Sequence, residues 1–148
     1  MNSENCRCNE LLEQYKLYVE MADRVSDRRE RTNRFYTSLL SALIALVPIL
    51  QSKGMLSPLL LIAISILGMA LCFVWHRNIE SYRILNSGKF AVIHEVEKRL
   101  PCQCYADEWK ILKEKGYKRL TKVEQMVPII TGAVFLLAFL GTIIYLFL

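Results

Sequence analysis

The sequence predicts an all-α polytopic membrane protein with three transmembrane helices and a small helical cytoplasmic domain. Three observations carry the prediction: apolar residues gather into three long runs, basic residues crowd to one side of those runs, and the polar segments keep a helical period. The chain has 148 residues, 53% of them hydrophobic, and a mean hydropathy of +0.26. With its apolar residues blocked in this way, that composition belongs to a small membrane protein rather than a soluble domain.

The first run, residues 35–51, holds no Asp, Glu, Lys, Arg or His. At a rise of 1.5 Å per residue it covers roughly 25 Å, enough for a thin hydrocarbon core. The second span is residues 58–75 and the third residues 127–148, both equally free of charge. Residues 52–57 form a short outer turn, in which Gly54 and Pro58 break the period and Ser57 followed by Pro58 supplies an N-cap and first-turn proline. Pro48 and Pro128 are expected to bend the first and third spans. The first 34 residues carry fourteen charges and no long apolar stretch, so the first span is expected to stay in the protein as an anchor rather than be removed as a signal peptide.

Orientation follows from the basic residues. Of 19 Lys and Arg, seven precede Phe35, eleven lie between Arg77 and Lys122, and Lys53 alone sits in the turn. The positive-inside rule therefore places residues 1–34 and 76–126 in the cytoplasm and the C-terminus at the outer face. So little chain lies outside that a receptor for external ligands is not expected.

Residues 9–34 read as one amphipathic helix running into the first span, with no Gly or Pro from Asn9 to Val47. Leu11, Tyr15, Tyr18, Ala22 and Val25 recur at intervals of four and three, with Leu12 and Val19 beside them. Acidic residues are as frequent here as basic ones, which favours burial against other helices over a lipid-surface helix. Arg24, Arg28, Arg29, Arg31 and Arg34 interleave with Asp23, Asp27 and Glu30 at helical spacing. One reading is a solvated segment that partly neutralises itself; the other is an arginine ring that contacts lipid headgroups or another anion, a task suited to the planar guanidinium.

After the second span, Trp75 is placed at the membrane–water interface and the helix is expected to continue to Leu85, with Ile79, Tyr82 and Leu85 or Asn86 facing the N-terminal helix. Asn86-Ser87-Gly88 reads as a turn with Gly88 able to take positive φ. Residues 89–100 read as a separate short helix with Phe90, Ile93, Val96 or Glu97 and Leu100 on one face, ended by Pro101. Residues 107–114 read as another, centred on Trp109 and Leu112 and stopped by Gly116, and Thr121 with Glu124 forms a capping box that opens the third span.

Small residues sit at packing intervals within the spans: Ser38 with Ala42, Ser41 with Ala45, and Gly68 with Cys72. Together with Tyr15, Tyr18 and Ala22, the set Ser38, Ala42 and Ala45 is the expected oligomer interface. A three-span subunit can line a pore only by assembling, and its small polar mass gains buried area the same way.

Catalytic motifs and cofactor-binding motifs are missing. His76 and His94 are the two histidines, and His94 beside Glu97 and Lys98 reads as a surface residue; no glycine-rich phosphate loop, nucleophile elbow or H-E-x-x-H occurs. The spans also lack the ionisable residues that coupled carriers use. Cys6-Arg7-Cys8 and Cys102-Gln103-Cys104 read as free thiols on a reducing side, with a four-thiolate zinc site as the alternative; Cys72 reads as packing.

Residues 15–29, followed by Asn33-Arg34-Phe35-Tyr36, resemble the entry helix of the bacterial RipA family of octameric membrane proteins. Residues 75–101 do so too, with Ser81-Tyr82-Arg83 and Leu85-Asn86-Ser87-Gly88-Lys89-Phe90. The resemblance implies a homo-oligomer of the bacterial inner membrane, an octamer in that family, with no catalytic activity. The chain is also similar to small two-span proteins regarded as membrane-disrupting effectors of phage defence, from which its third span departs. Two functions are therefore expected: an oligomeric scaffold or pore with a cytoplasmic helical vestibule, or an effector that opens the membrane on a cytoplasmic signal. The expected partners are further copies of the chain, membrane lipid and a cytoplasmic protein, with no nucleic acid.

Overall fold

The computed structural model describes the backbone of residues 3–101, 103–116 and 121–148, and the side chains of residues 9–101, 103–116 and 122–148. Four helices follow in order: α1 (Ser3–Ser52), α2 (Pro58–Glu97), α3 (Cys104–Glu114) and α4 (Thr121–Phe147). Stretches of α1, α2 and α4 are long and apolar enough to cross a membrane. The chain divides into two compact units, residues 1–29 with 81–119 and residues 30–80 with 120–148.

In the second unit α2 is the central helix, since it supplies four of the six buried core residues. Leu40 of α1, Ile64, Cys72, Trp75 and Ile79 of α2, and Phe135 of α4 form the core. Gly68 and Cys72 are spent inside the chain: a side-chain carbon on Gly68 would lie 2.5 Å from the Phe135 ring, and one on Gly132 of α4 would lie 3.5 Å from Cys72 Cβ. Glycine lets the α4 ring sit directly on the α2 backbone. Buried hydroxyls are satisfied along their own helices, Ser65 donating to the Leu61 carbonyl at 2.8 Å and Thr142 to the Ala138 carbonyl at 2.8 Å.

The α1–α2 turn is built as its residues dictate. Gly54 takes φ +67°, and the Gly54 and Met55 amides donate back to the Gln51 and Leu50 carbonyls, each at 3.0 Å, closing the last turn of α1. Ser57 Oγ accepts from the Leu60 amide at 3.2 Å, and Pro58 occupies the first helical position.

At the other end of that helix pair, Trp75 is only 4% exposed. It stacks on Tyr36 with ring centroids 5.9 Å apart and planes 10° from parallel, and its indole N–H donates to Asn33 Oδ1 at 2.9 Å. Asn78 donates to Tyr36 Oη at 3.0 Å, and Gln125 of α4 donates to Glu80 at 2.6 Å. Trp75 thus packs between helices.

Two expectations need correction. Asn86-Ser87-Gly88 makes no turn: α2 runs unbroken to Glu97, and Gly88 does not have positive φ. The stripe Tyr82, Asn86, Phe90, Ile93 and Glu97 stays in phase through Gly88, so continuing one buried face outweighs the ~1 kcal/mol that an interior glycine costs. The separate helix expected over residues 89–100 is therefore the end of α2, with turns at Arg99 and Leu100 before Pro101. Asn86, not Leu85, faces α1, donating to Ser26 Oγ at 3.4 Å, while Leu85 is exposed. α3 also starts earlier than expected, at Cys104, and ends as expected at Glu114, ahead of Gly116, whose φ is +71°. The proposed capping box rests on Thr121, whose side chain lies outside the described residues.

Replacing Gly68 with Ala should force the Phe135 ring off α2 and lower the thermal stability of the detergent-solubilised protein by about 1–3 kcal/mol, whereas Gly141→Ala, where a side chain meets nothing within 4 Å, should leave it unchanged.

Candidate functional site

The most organised polar group of the first unit is a carboxylate. Glu97, the last residue of α2, is 1% exposed. Helix ends leave their first amides without partners, and α3 has none from its own N-cap, because Gln103 makes no side-chain cap. Glu97 fills that role from another helix: its Oε1 accepts from the Tyr105 amide at 2.8 Å and its Oε2 from the Ala106 amide at 3.3 Å. Tyr15 of α1 donates its hydroxyl to the same Oε1 at 2.9 Å, and His94 Nδ1 lies 3.4 Å from Oε2. One buried side chain therefore ties α1, α2 and α3 together, aided by edge-to-face contacts of Tyr105 with Tyr15 and Phe90. No residue of α3 is buried, so this anchor matters more to α3 than its apolar packing does.

Charge agrees with geometry. Burial pushes the Glu97 carboxyl up, but the amides of Tyr105 and Ala106, the Tyr15 hydroxyl and His94 together hold it below its ordinary range. Burial and the Glu97 charge push the Tyr15 phenol far above its usual value, and burial with the charges of Asp23, Glu108 and Glu97 raises Tyr105. The node is thus an ionised carboxylate held by the neutral Tyr15 phenol and the N-terminal amides of α3, an arrangement that orders three helices.

The residues singled out from the sequence fall in several places. Tyr15 and Tyr18 are half-buried and Ala22 is 3% exposed, so this stripe packs within the chain itself. Ser38, Ser41, Ala42 and Ala45 are all exposed on α1. Arg24 pairs with Glu20 at 2.7 Å and Arg34 pairs with Glu30, both on the α1 surface; Arg28 and Arg31 are exposed and Arg29 is half-buried. Asn33, Arg34, Thr37 and Ser38 line an open groove of about 400 Å³ with Glu30. The side chains of Cys6 and Cys8, and all of Cys102, lie outside what is described; Cys104 is exposed, Cys72 is buried, and among the described residues no three His, Cys, Asp or Glu are placed to hold a metal ion.

The role of Glu97 could not be read from spacing, because its partners come from three helices. The weak N-cap Gln103 was the available signal, since it left amides in search of an acceptor.

A bundle of long helices whose apolar stretches can span a bilayer, and whose polar unit is ordered by a structural carboxylate, defines a polytopic helical membrane protein. The chain belongs to the octameric membrane protein family, whose pattern matches residues 12–144. No curated protein and no solved structure matches it.

Because the Glu97 carboxyl titrates lower in the fold than in the unfolded chain, it contributes stability that is present above about pH 4.3 and lost as pH falls through the folded value. Glu97→Ala should cost about 2–3 kcal/mol by stranding the Tyr15 hydroxyl and the α3 amides. The stability gap between parent and variant, read from melting curves, should narrow progressively as pH falls below about 4.3; a gap that widens as the pH falls would contradict the assignment.

Proposed function

We propose that the protein is a non-enzymatic homo-octamer of the bacterial inner membrane that forms a scaffold or pore with a cytoplasmic helical vestibule. The observation that carries this reading is the uncovered first span. Only 6% of the most apolar window of α1 is buried within the chain, against 28% for α2 and 17% for α4. Ser38, Ala42 and Ala45 lie on the side of α1 opposite buried Leu40, where small side chains admit a second helix closely. Membership of the octameric membrane protein family supports eight copies, and the resemblance of residues 15–29 and 75–101 to the RipA proteins supports the inner membrane.

The basic residues support an N-terminus in the cytoplasm, with Leu148 at the outer face. The groove lined by Asn33, Arg34 and Thr37 would take an acidic lipid headgroup that competes with Glu30 for the Arg34 guanidinium. A second reading, a phage-defence effector that opens the membrane on a cytoplasmic signal, is favoured by the α1–α2 turn, which at residues 53–57 is too short to receive an external ligand. A cytoplasmic protein partner would then act through residues 1–34 and 76–126.

Fusions test the orientation: a reporter active only in the cytoplasm should work after Lys115 and fail after Leu148, and opposite results would overturn it. Assembly is tested by Ala42→Leu with Ala45→Leu, which should lower the subunit number measured by mass photometry and abolish any dye release from vesicles carrying the parent protein. Unchanged subunit number would remove the first span from the interface. Parent vesicles that hold dye while the octamer persists would favour the scaffold over the pore.

A further inference from the structure

The first unit leaves apolar surface uncovered on two different helices. On α1, Ala22 and Val25 turn inward, whereas Leu17 and Met21, one turn apart, are 55% and 39% exposed. On α2, Ile93 and Glu97 turn inward, whereas Leu85, Ala91 and Val92 face outward around Gly88, where a side chain would meet nothing within 4 Å. Ala91, Val92, Glu95, Val96 and Arg99 line an open groove of about 470 Å³. Apolar side chains grouped on the outer faces of helices in a unit otherwise rich in charge mark a contact surface.

We infer that this groove on α2 receives the Leu17 and Met21 ridge of a second copy of the chain, in a head-to-tail contact. The inference rests on the ring proposed above and names the surface that closes it. A ring needs two different, complementary faces on each subunit, whereas a twofold dimer needs one face that meets itself. Copies that share a bilayer are related by rotation about its normal, so each residue keeps its height from one copy to the next. The Tyr15–Glu97 and Ser26–Asn86 hydrogen bonds fix α1 and α2 as antiparallel neighbours and set which residues stand level. Met21 is as far along α1 from Tyr15 as Ala91 is back along α2 from Glu97, so ridge and groove stand at the same height. Charge is complementary at one end: Glu13, a turn before Leu17 and paired on the surface with Lys16 at 2.9 Å, stands level with exposed Arg99 at the rim of the groove.

The test uses the full chain in native membranes, with Cys6, Cys8, Cys102 and Cys104 replaced by Ser and Cys72 by Ala. Mild oxidation of the variant carrying both Met21→Cys and Ala91→Cys should give a ladder of covalently linked subunits extending beyond the dimer, and neither single variant should give one. Gly88→Trp, made with the natural cysteines present, should reduce the fraction of protein in the largest assembly at least tenfold while leaving its helical circular dichroism unchanged. Absence of a ladder from particles that keep the parent mass would overturn this surface and leave the ring standing. Dimers from either single variant would replace it with a twofold contact. Monomeric particles throughout would overturn the ring and this inference together.

Discussion

The pairing of α1 with α2 is the constraint on which the rest of the structure depends. Both units contain a stretch of it, and in both the apolar stripe is reinforced by long-range hydrogen bonds. Tyr15 reaches Glu97 and Asn86 reaches Ser26 in one unit, while Trp75 reaches Asn33 and Asn78 reaches Tyr36 in the other. Each of these bonds fixes register, because a slip of one residue would carry the donor about 100° around its helix and strand it. The pairing also decides what is left outside. A helix packed along one stripe has most of its circumference free, and α1 accordingly buries little surface in the span and leaves Leu17 and Met21 exposed at its polar end.

Glu97 shows how the small polar unit is held without a large core. A buried carboxylate is costly to desolvate, and here the cost is offset by two amides and a phenol, with His94 close by. The same group satisfies the start of α3, a helix with no buried residue of its own. A structural anion of this kind specifies one arrangement of three helices where apolar packing alone would be too loose to do so.

Much of the fold was legible because it follows from local rules. The charge-free spans, the Ser57-Pro58 helix start, the helix breaks at Gly54 and Gly116, and the Tyr15, Tyr18, Ala22, Val25 stripe each express chemistry within a few residues of themselves. Gly88 misled because a glycine after Asn-Ser is a local turn signal, and what overrides it is the phase of a buried face extending on both sides. The candidate site was less legible for the same reason. Glu97 appeared as an alternative to Val96 on an inward face, but its partners Tyr15 and Tyr105 belong to other helices, and no spacing rule connects them. Gly68 was legible as a packing residue, and only the structure shows that Phe135 of the same chain fills the space.

The uncovered face of α1 draws these threads together. On the side of α1 away from buried Leu40, the small residues Ser38, Ala42 and Ala45 are exposed between exposed Phe35 and Ile49, and small side chains there admit another helix closely. The most direct test is the native mass of the protein released from lipid nanodiscs in a mass spectrometer. A homo-octamer should fly as a particle of eight copies of the 17.2 kDa chain, with bound lipid; a particle of one copy would contradict the assembly.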